Sequence, residues 1–385
     1  MEIKTLGELC SIVSGGTPAR SKAEFWNEGM IPWIKIGNIK GKYVNKADEY
    51  ITQAGLAGSS AKLLPKGTVL YTIFATLGEV GVLGIDACTN QAIAGLMIKD
   101  EKQLNTDYLY YYLKSKKSFV NSVGRGVAQN NINMSILRSF ELPLPELSKQ
   151  KDIIEILDKV ATIIETRQQE LQKLEDLIKA RFVELFGDPI KNPKGWEVVT
   201  IGDIVTEVRY GTSKPAVEGG KYPYLRMNNL TVDGHLDLND LKYIDIPDDE
   251  MEKCVVRKGD VLFNRTNSIE LVGKTAVFDL LEDMVIAGYI IRVRLNERLL
   301  PEIFSQYMNL EALKDILRAM AKGAVNQANI NAQELQSIKV YVPDMEVQKQ
   351  FIKMKEQVNK SKLKVEESLK KMETLQKSLM QQYFG

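Results

Sequence analysis

One histidine and three cysteines in 385 residues leave little material for metal or thiol chemistry. His235 lies in Val232-Asp233-Gly234-His235-Leu236, a turn context that reads as an exposed loop. Cys10, Cys88 and Cys254 are far apart and form no CxxC pair, so they read as buried structural thiols in a reducing compartment. No His/Cys set has metal-ligand spacing. A Walker loop, a G-x-G-x-x-G after a strand and a Gly-x-Ser-x-Gly elbow are all missing; Gly15-Gly16-Thr17-Pro18 is only a tight turn. Asn192-Pro193-Lys194-Gly195 lacks the second proline and the aromatic of an amino-methyltransferase motif. The pairs Asp48/Glu49 and Asp248/Asp249 read as solvated loops rather than nuclease carboxylates. The most apolar stretch, 80–98, is broken by Asp86, Asn90 and Gln91, which argues against a membrane span, and MEIKTLGELC has no signal-length apolar core. Charge of one sign is also lacking: the net is +1. Residues 1–145 hold 16 Lys/Arg against 12 Asp/Glu, about +4, and residues 188–343 hold 19 against 23, about −4. Any polyanion contact must therefore use local patches.

What is present is a pair of long amphipathic helices. In residues 147–186, Leu157, Ile164, Leu171, Ile178 and Leu185 recur every seven residues, with Val160 and Leu174 three residues on. Such an a/d seam needs a partner helix. Arg167 and Arg181 fall in two second-row places and make it imperfect. The partner is predicted at about 346–384, where Val358, Val365, Met372 and Leu379 form one row with Leu369 and Leu375 beside it.

The chain also repeats itself. Residues 197–204 echo 2–9, 222–229 echo 31–38, 257–263 echo 65–71, and Ile286-Ala287-Gly288-Tyr289 echoes Ile93-Ala94-Gly95-Leu96. Gly323 to Asn331 echoes Gly126 to Asn133, and Gln348-Lys349 echoes Gln150-Lys151. A period near 200 residues marks a duplicated domain rather than a solenoid unit. The predicted order is a globule at 1–146, a helix at 147–187, a globule at 188–344 and a helix at 345–385. The fold class is α+β, with two mixed α/β domains and two long helices paired as an antiparallel coiled coil. That pairing predicts that Gly385 lies near Met1. Smaller expectations are a strand over 32–38 and a single helix over 106–123, whose Tyr110, Tyr111 and Tyr112 read as packing surface rather than a stacking platform.

The clearest polar signal is the paired Gln/Asn stretch. Gln129 and Asn130 follow Arg125, and Gln327 follows Lys322. Gln and Asn suit adenine edges, and Arg or Lys suits guanine edges or phosphates. Asn131, Asn133, Asn329 and Asn331 recur in both copies and read as caps and loop supports. A second cluster follows the Lys-Gly turns: Thr76 in the first copy, Arg265 and Asn267 in the second. Lys35 and Arg226, beside Asn38 and Asn229, are equivalent strand candidates. Thr17, Thr212 and Lys214 complete the set of candidate DNA contacts.

In combination the chain resembles the specificity (S) subunit of type I restriction–modification systems over essentially its whole length. The features that carry the resemblance are Gly195-Trp196-Glu197 with Ile201-Gly202-Asp203, the Lys-Gly-Asp-Val-Leu run at 258–262, and the Gly…Gln…Asn-Ile loop before each Pro and long helix. The first globule departs in starting at Met1 rather than a Trp, and in having Gly67-Thr68 where the second has Gly259-Asp260. The resemblance implies a non-catalytic chain whose two target recognition domains each read one half of a split, asymmetric target on double-stranded DNA. The helices would set the spacing and dock two modification (methyltransferase) subunits, with restriction (translocase/nuclease) subunits joining for cleavage. S-adenosylmethionine, ATP and Mg would sit on those partners and no cofactor on this chain, in the cytoplasm. About 38 helical residues span roughly 57 Å, enough to separate half-sites one turn, ~34–36 Å, apart. Two other readings stay open on the residues: a self-contained DNA methyltransferase or endonuclease, and a coiled-coil protein-interaction scaffold.

Overall fold

Each globule opens with the same local device. In the computed structural model, which describes residues 2–124, 132–324 and 327–385, Thr5 and Glu8 form a capping box on the short helix Leu6–Leu9. Thr200 and Asp203 do the same at Ile201–Ile204. The strand before each cap pairs antiparallel with the strand that ends its globule: Glu2–Thr5 with Glu141–Leu144, and Glu197–Thr200 with Lys339–Val342. Each globule is thereby stitched start to finish just before its long helix begins.

The chain divides into two units. Unit 1 is Met1–Gln169 with Glu366–Gly385, and unit 2 is Glu170–Val365, so each holds one globule and half of each long helix. The main sheet of unit 1 has the order Cys10–Ser14, Ile93–Ile98, Val69–Thr72, Val80–Leu83, Tyr43–Val44. Its centre is buried on both faces, as the unbroken Val-Leu-Tyr-Thr run requires. Unit 2 repeats it with Val205–Tyr210, Ile290–Leu295, Val261–Asn264 and Thr275–Val277. A smaller sheet holds Ile31–Ile34 in unit 1 and Tyr222–Leu225 in unit 2.

Strand register corrects one of the sequence echoes. Ser14 faces Ala94 and Tyr210 faces Ile291, so Ile93 corresponds to Ile290. Ile286 instead corresponds to Thr89, since these pair in parallel with Leu225 and Ile34. The Ile-Ala-Gly likeness is a four-residue slip between two similar apolar runs. Two further expectations change. The expected strand over 32–38 ends at Ile34, and Ile36–Asn38, like Met227–Asn229, is a 3-10 turn. The helix over 106–123 breaks at Lys116 into Thr106–Ser115 and Lys117–Gly124. Tyr110, Tyr111 and Tyr112 are buried packing residues. Tyr112 Oη donates to Glu141 O (2.8 Å) and anchors the helix on the closing strand.

The long helices are Leu147–Phe186 and Met345–Phe384. Each begins with a buried glutamine. Gln150 accepts from Asn105 N (2.9 Å) and donates to Gln103 O and Pro145 O (both 2.8 Å). Gln348 makes the matching bonds to Leu300 N, Arg298 O and Pro343 O. This explains the repeated Gln-Lys: the amide satisfies three backbone groups where each helix leaves its globule. The helices pair within each unit. In unit 2, Phe182 and Phe186 meet Phe351 (ring centroids 5.2 and 5.6 Å), while Ile178 and Val358 share the core and Glu175 meets Lys362. Numbers fall along one helix as they rise along the other, so the pair is antiparallel. In unit 1, Ile153 and Leu157 share a core with Met380 and Phe384, whose ring contacts Tyr108 at 5.2 Å.

Of the predicted seam, Leu157, Val160, Ile178, Val358 and Val365 are buried. Ile164, Leu171, Leu174, Leu369, Met372 and Leu379 are half-buried. Near the end of the first helix the row changes step. Phe182 and Phe186 are fully buried, Leu185 is half-buried against the unit 2 core, and Arg181 lies off the seam, paired with Glu184 at 2.6 Å. Leu375 is exposed rather than beside the seam. Met1 lies outside the described residues, but Ile3 and Gly385 line one groove of unit 1. Among the described residues no helix is long and apolar enough to cross a membrane.

Candidate nucleic-acid interface

Three stretches meet at the same end of each main sheet, tied by the same backbone hydrogen bonds. In unit 1, Gly15 N donates to Ile93 O (3.0 Å), Ile73 N to Ala92 O (2.8 Å) and Ile132 N to Ile73 O (3.0 Å). In unit 2, Gly211 N donates to Ile290 O (3.1 Å), Arg265 N to Tyr289 O (3.0 Å) and Ile330 N to Arg265 O (2.9 Å). In unit 2 the backbone of the polar Gln/Asn stretch and the cluster after the Lys-Gly turn, far apart in sequence, are thus neighbours, and in unit 1 Ile132 takes the place of Ile330. The turn itself needs glycine: Gly67 and Gly259 have φ of +90° and +94°, and both donate their N–H to the adjacent strand end.

The candidates at this end differ in what they have left to offer. Thr17 Oγ1 donates to Gln91, and Thr212 accepts from Lys214 N (3.2 Å). Thr76 is exposed and its carbonyl accepts from Thr72 Oγ1 (2.5 Å). Beside it Ala75 has φ +61°, a left-handed conformation unusual for a residue with a Cβ, and Phe74 is 40% exposed. Asn267 spends its amide internally, donating to Asn264 Oδ1 (2.8 Å) and accepting from Ser268 N (2.9 Å). Arg265 lies over the ring of Tyr210 at 4.8 Å. Arg125, Gln129 and Asn130 lie outside the described residues, as do the side chains of Lys322 and Gln327. The backbones of Lys322–Ala324 and Gln327–Asn329 form a ribbon with Thr266–Asn267. The recurrent asparagines build the fold. Asn133 accepts from Ile136 N (2.8 Å), Asn331 from Glu334 N (2.9 Å), and Asn329 from Thr266 Oγ1 (2.8 Å); Asn131 lies outside the described residues.

The strand candidates also hold local structure. Asn38 Oδ1 accepts from Lys35 N (2.8 Å) and Asn229 Oδ1 from Arg226 N (2.9 Å), each closing a 3-10 turn. Lys35 is ion-paired with Glu49, Arg226 with Asp240 (2.8 Å) and Lys214 with Glu250 (2.9 Å). The Lys35 hydrogen bond, against some burial and with help from Arg20, holds Glu49 below the usual carboxylate range. These cations are neutralised in place, because each turn brings a carboxylate of its own globule across from the residue that the sequence shows as exposed.

Sequence reasoning missed Tyr210, which no local motif marks, and a second cluster. Glu175, Asp233 and His235 bring ligand atoms within 4.8 Å of one another. Lys362 already sits on Glu175, and His235, half-buried rather than exposed, lies 3.9 Å from both carboxylates.

Two copies of one mixed sheet-and-helix domain, each with a polar loop cluster at one sheet end and each followed by a 40-residue helix, define a duplicated recognition protein. The profile of the type I restriction modification DNA specificity domain matches residues 1–176 and again 193–373, and the chain belongs to that family. The EcoKI specificity subunit of Escherichia coli is 23% identical over 382 residues, covering 92% of this chain and 81% of that protein. The MjaIX specificity subunit of Methanocaldococcus jannaschii is 28% identical over 253 residues, 60% of this chain and 58% of that protein. A chain solved in work on complex assembly and conformational transition of the type I R-M system superposes with a TM-score of 0.62 at 18% identity, covering 100% of this chain and 97% of that one. The S subunit from M. genitalium gives 0.55 at 16% identity, covering 100% and 96%.

Proposed function

We propose that this chain is the DNA-specificity subunit of a type I restriction–modification complex and has no catalytic centre of its own. Each unit reads one half of a split, asymmetric target. The paired helices hold the spacing and dock two modification subunits, and restriction subunits join that core. S-adenosylmethionine, ATP and Mg belong to those partners, and the complex works in the cytoplasm. The observation that carries this reading is the pair of sheet ends. Their backbone bonding is the same in both units while the side chains they display differ, as two readers of different half-sites require. Carboxylate-paired cations such as Lys35 and Arg226 leave modest electrostatic attraction for DNA in the chain alone, so the partners contribute backbone contacts. The test is exchange of residues 1–145 for the matching domain of another specificity subunit, followed by mapping of methylated adenines in the host genome. One half of the methylated site should change. A change in both halves, or in neither, refutes the proposal.

A further inference from the structure

The nine arginines of unit 2 are not alike. Arg181, Arg209, Arg226, Arg257, Arg292, Arg294, Arg298 and Arg318 each face a carboxylate within 3.0 Å. Arg265 has no carboxylate partner among the described residues. Its guanidinium makes one long bond, Nη1 to Gly288 O at 3.4 Å, and its Nε has no hydrogen-bond partner. It is held by a ring instead, with its central carbon 4.8 Å from the centroid of Tyr210. That ring is itself fixed, because Tyr210 Oη accepts from Ala332 N at 2.8 Å. A guanidinium stacked on an immobilised aromatic keeps its planar fork of donors oriented and largely unspent.

Matching backbone bonds show what the other unit places here. Arg265 corresponds to Ile73, Tyr289 to Ala92 and Tyr210 to Ser14. Ile73 is 2% exposed and can meet no ligand, whereas Tyr210 and Tyr289 are 43% and 50% exposed. A phosphate contact serves any sequence and belongs in both copies. A donor fork that only one copy carries at this matched backbone position suits a feature found in one half-site alone. From this contrast we infer that Arg265, platformed on Tyr210, reads a guanine in the half-site of unit 2 through the guanine's O6 and N7 acceptors.

The inference rests on the reading of the chain as a DNA-specificity subunit, and its test separates the two. The full chain, assembled with its modification subunits, is used to select from a duplex library carrying two randomised blocks, and the base frequencies are read. The wild type should select a split site with a required guanine in one half. Failure to select any split site overturns the specificity reading and this inference with it. Given a wild-type site, Arg265→Ala should lower the guanine preference at a single position by about ten- to a hundredfold and leave the other half intact. Arg265→Gln should move that position toward adenine. Thermal melting of each variant checks folding, and Arg265→Lys, which keeps the charge and loses the fork, should show a smaller loss at the same position. Unchanged base frequencies in the folded variants refute guanine reading. So does weaker binding with unchanged frequencies, which marks a phosphate contact, and so does a change in both halves.

Discussion

The two units follow one backbone course with different fillings. At four matched positions unit 1 has Thr68, Gly95, Met97 and Ser11, and unit 2 has Asp260, Arg292, Arg294 and Glu207. In unit 1 the gap is closed by packing: a Cβ on Gly95 would lie 2.5 Å from Leu64 Cδ1. In unit 2 the corresponding space is threaded by the Arg292 side chain, 1% exposed, which donates to Val255 O and to Glu207 (2.7 Å). Arg294 then bridges Glu207 and the buried Asp260, both at 2.8 Å. Burial alone would raise the Glu207 carboxyl, but Arg209, Arg292 and Arg294 outweigh it and the net shift is downward. One fold therefore tolerates either an apolar or an ionic solution at its sheet, provided that every buried charge is paired. Domains that must change their surface readers while keeping a common scaffold can drift this far beneath the surface too.

The comparison is broken most strongly at Arg292. Arg292→Leu leaves Val255 O without its donor and removes one cation from Glu207, and should cost about 3–5 kcal/mol. Gly95→Ala, at the matched site, should cost about 1–3 kcal/mol through overpacking against Leu64. Denaturant unfolding with hydrogen exchange localises each loss: Arg292→Leu should deprotect unit 2 first and Gly95→Ala unit 1. Equal and small effects would show that the ionic network carries none of the stability assigned to it.

A milder asymmetry is a lysine with two fates. Gly78 and Gly273 have φ of +80° and +79° and pack under Val120 and Leu317, which aligns Lys117 with Lys314 three residues earlier. Lys117 is half-exposed and pairs with Glu79 at 2.6 Å. Lys314 is 8% exposed, donates to Gly273 O at 2.5 Å, and is pushed down to about 7 by burial. Between about pH 7 and 10.5 the unfolded chain binds this proton and the folded chain does not, so stability should rise with pH across that window. Below pH 7 the cost of charging the buried amine is fully present. Lys314→Met should therefore stabilise the protein at pH 6 by about 1–3 kcal/mol, net of the lost bond to Gly273, and flatten the rise toward pH 10. Lys117→Met should move stability by less than about 0.5 kcal/mol. Unfolding titrations at pH 6 and 10 decide it, and an unaltered slope in Lys314→Met would count against the buried-amine account.

What could be read from the chain before its fold was known follows the range of each interaction. Asn331 as a cap and the two long helices are local patterns, and they stand as read. The duplication is legible because Gly-turn and cap positions must recur with the backbone. Long-range pairing is what the sequence hides. Nothing near Lys35 or Arg226 announces Glu49 or Asp240 across the turn, so both look free in sequence. The slip of Ile93 onto Ile286 arose because apolar strand residues are interchangeable and only the register separates them. Arg265 stood out by its type and place, but its platform, Tyr210, is 55 positions earlier and becomes visible only when the strands pair.

The smallest effect concerns the seam itself. A strict seven-residue rule puts Arg181 among the apolar residues, and on that rule Arg181→Leu should tighten the helix pair. In the structure the buried row runs Ile178, Phe182, Phe186, stepping by four, which follows the 3.6-residue turn of a straight helix rather than a 3.5-residue supercoil. The change of step carries the helix out of coiled-coil packing and into the core of unit 2, where Phe182 and Phe186 meet Phe351. Arg181 is left on the outer face with Glu184. Arg181→Leu then removes only a surface ion pair and should shift stability by less than about 0.5 kcal/mol in either direction. Phe182→Ala, one residue on, should cost about 3–5 kcal/mol. A clear gain from Arg181→Leu in paired denaturation curves would restore the seven-residue seam and displace the four-residue step.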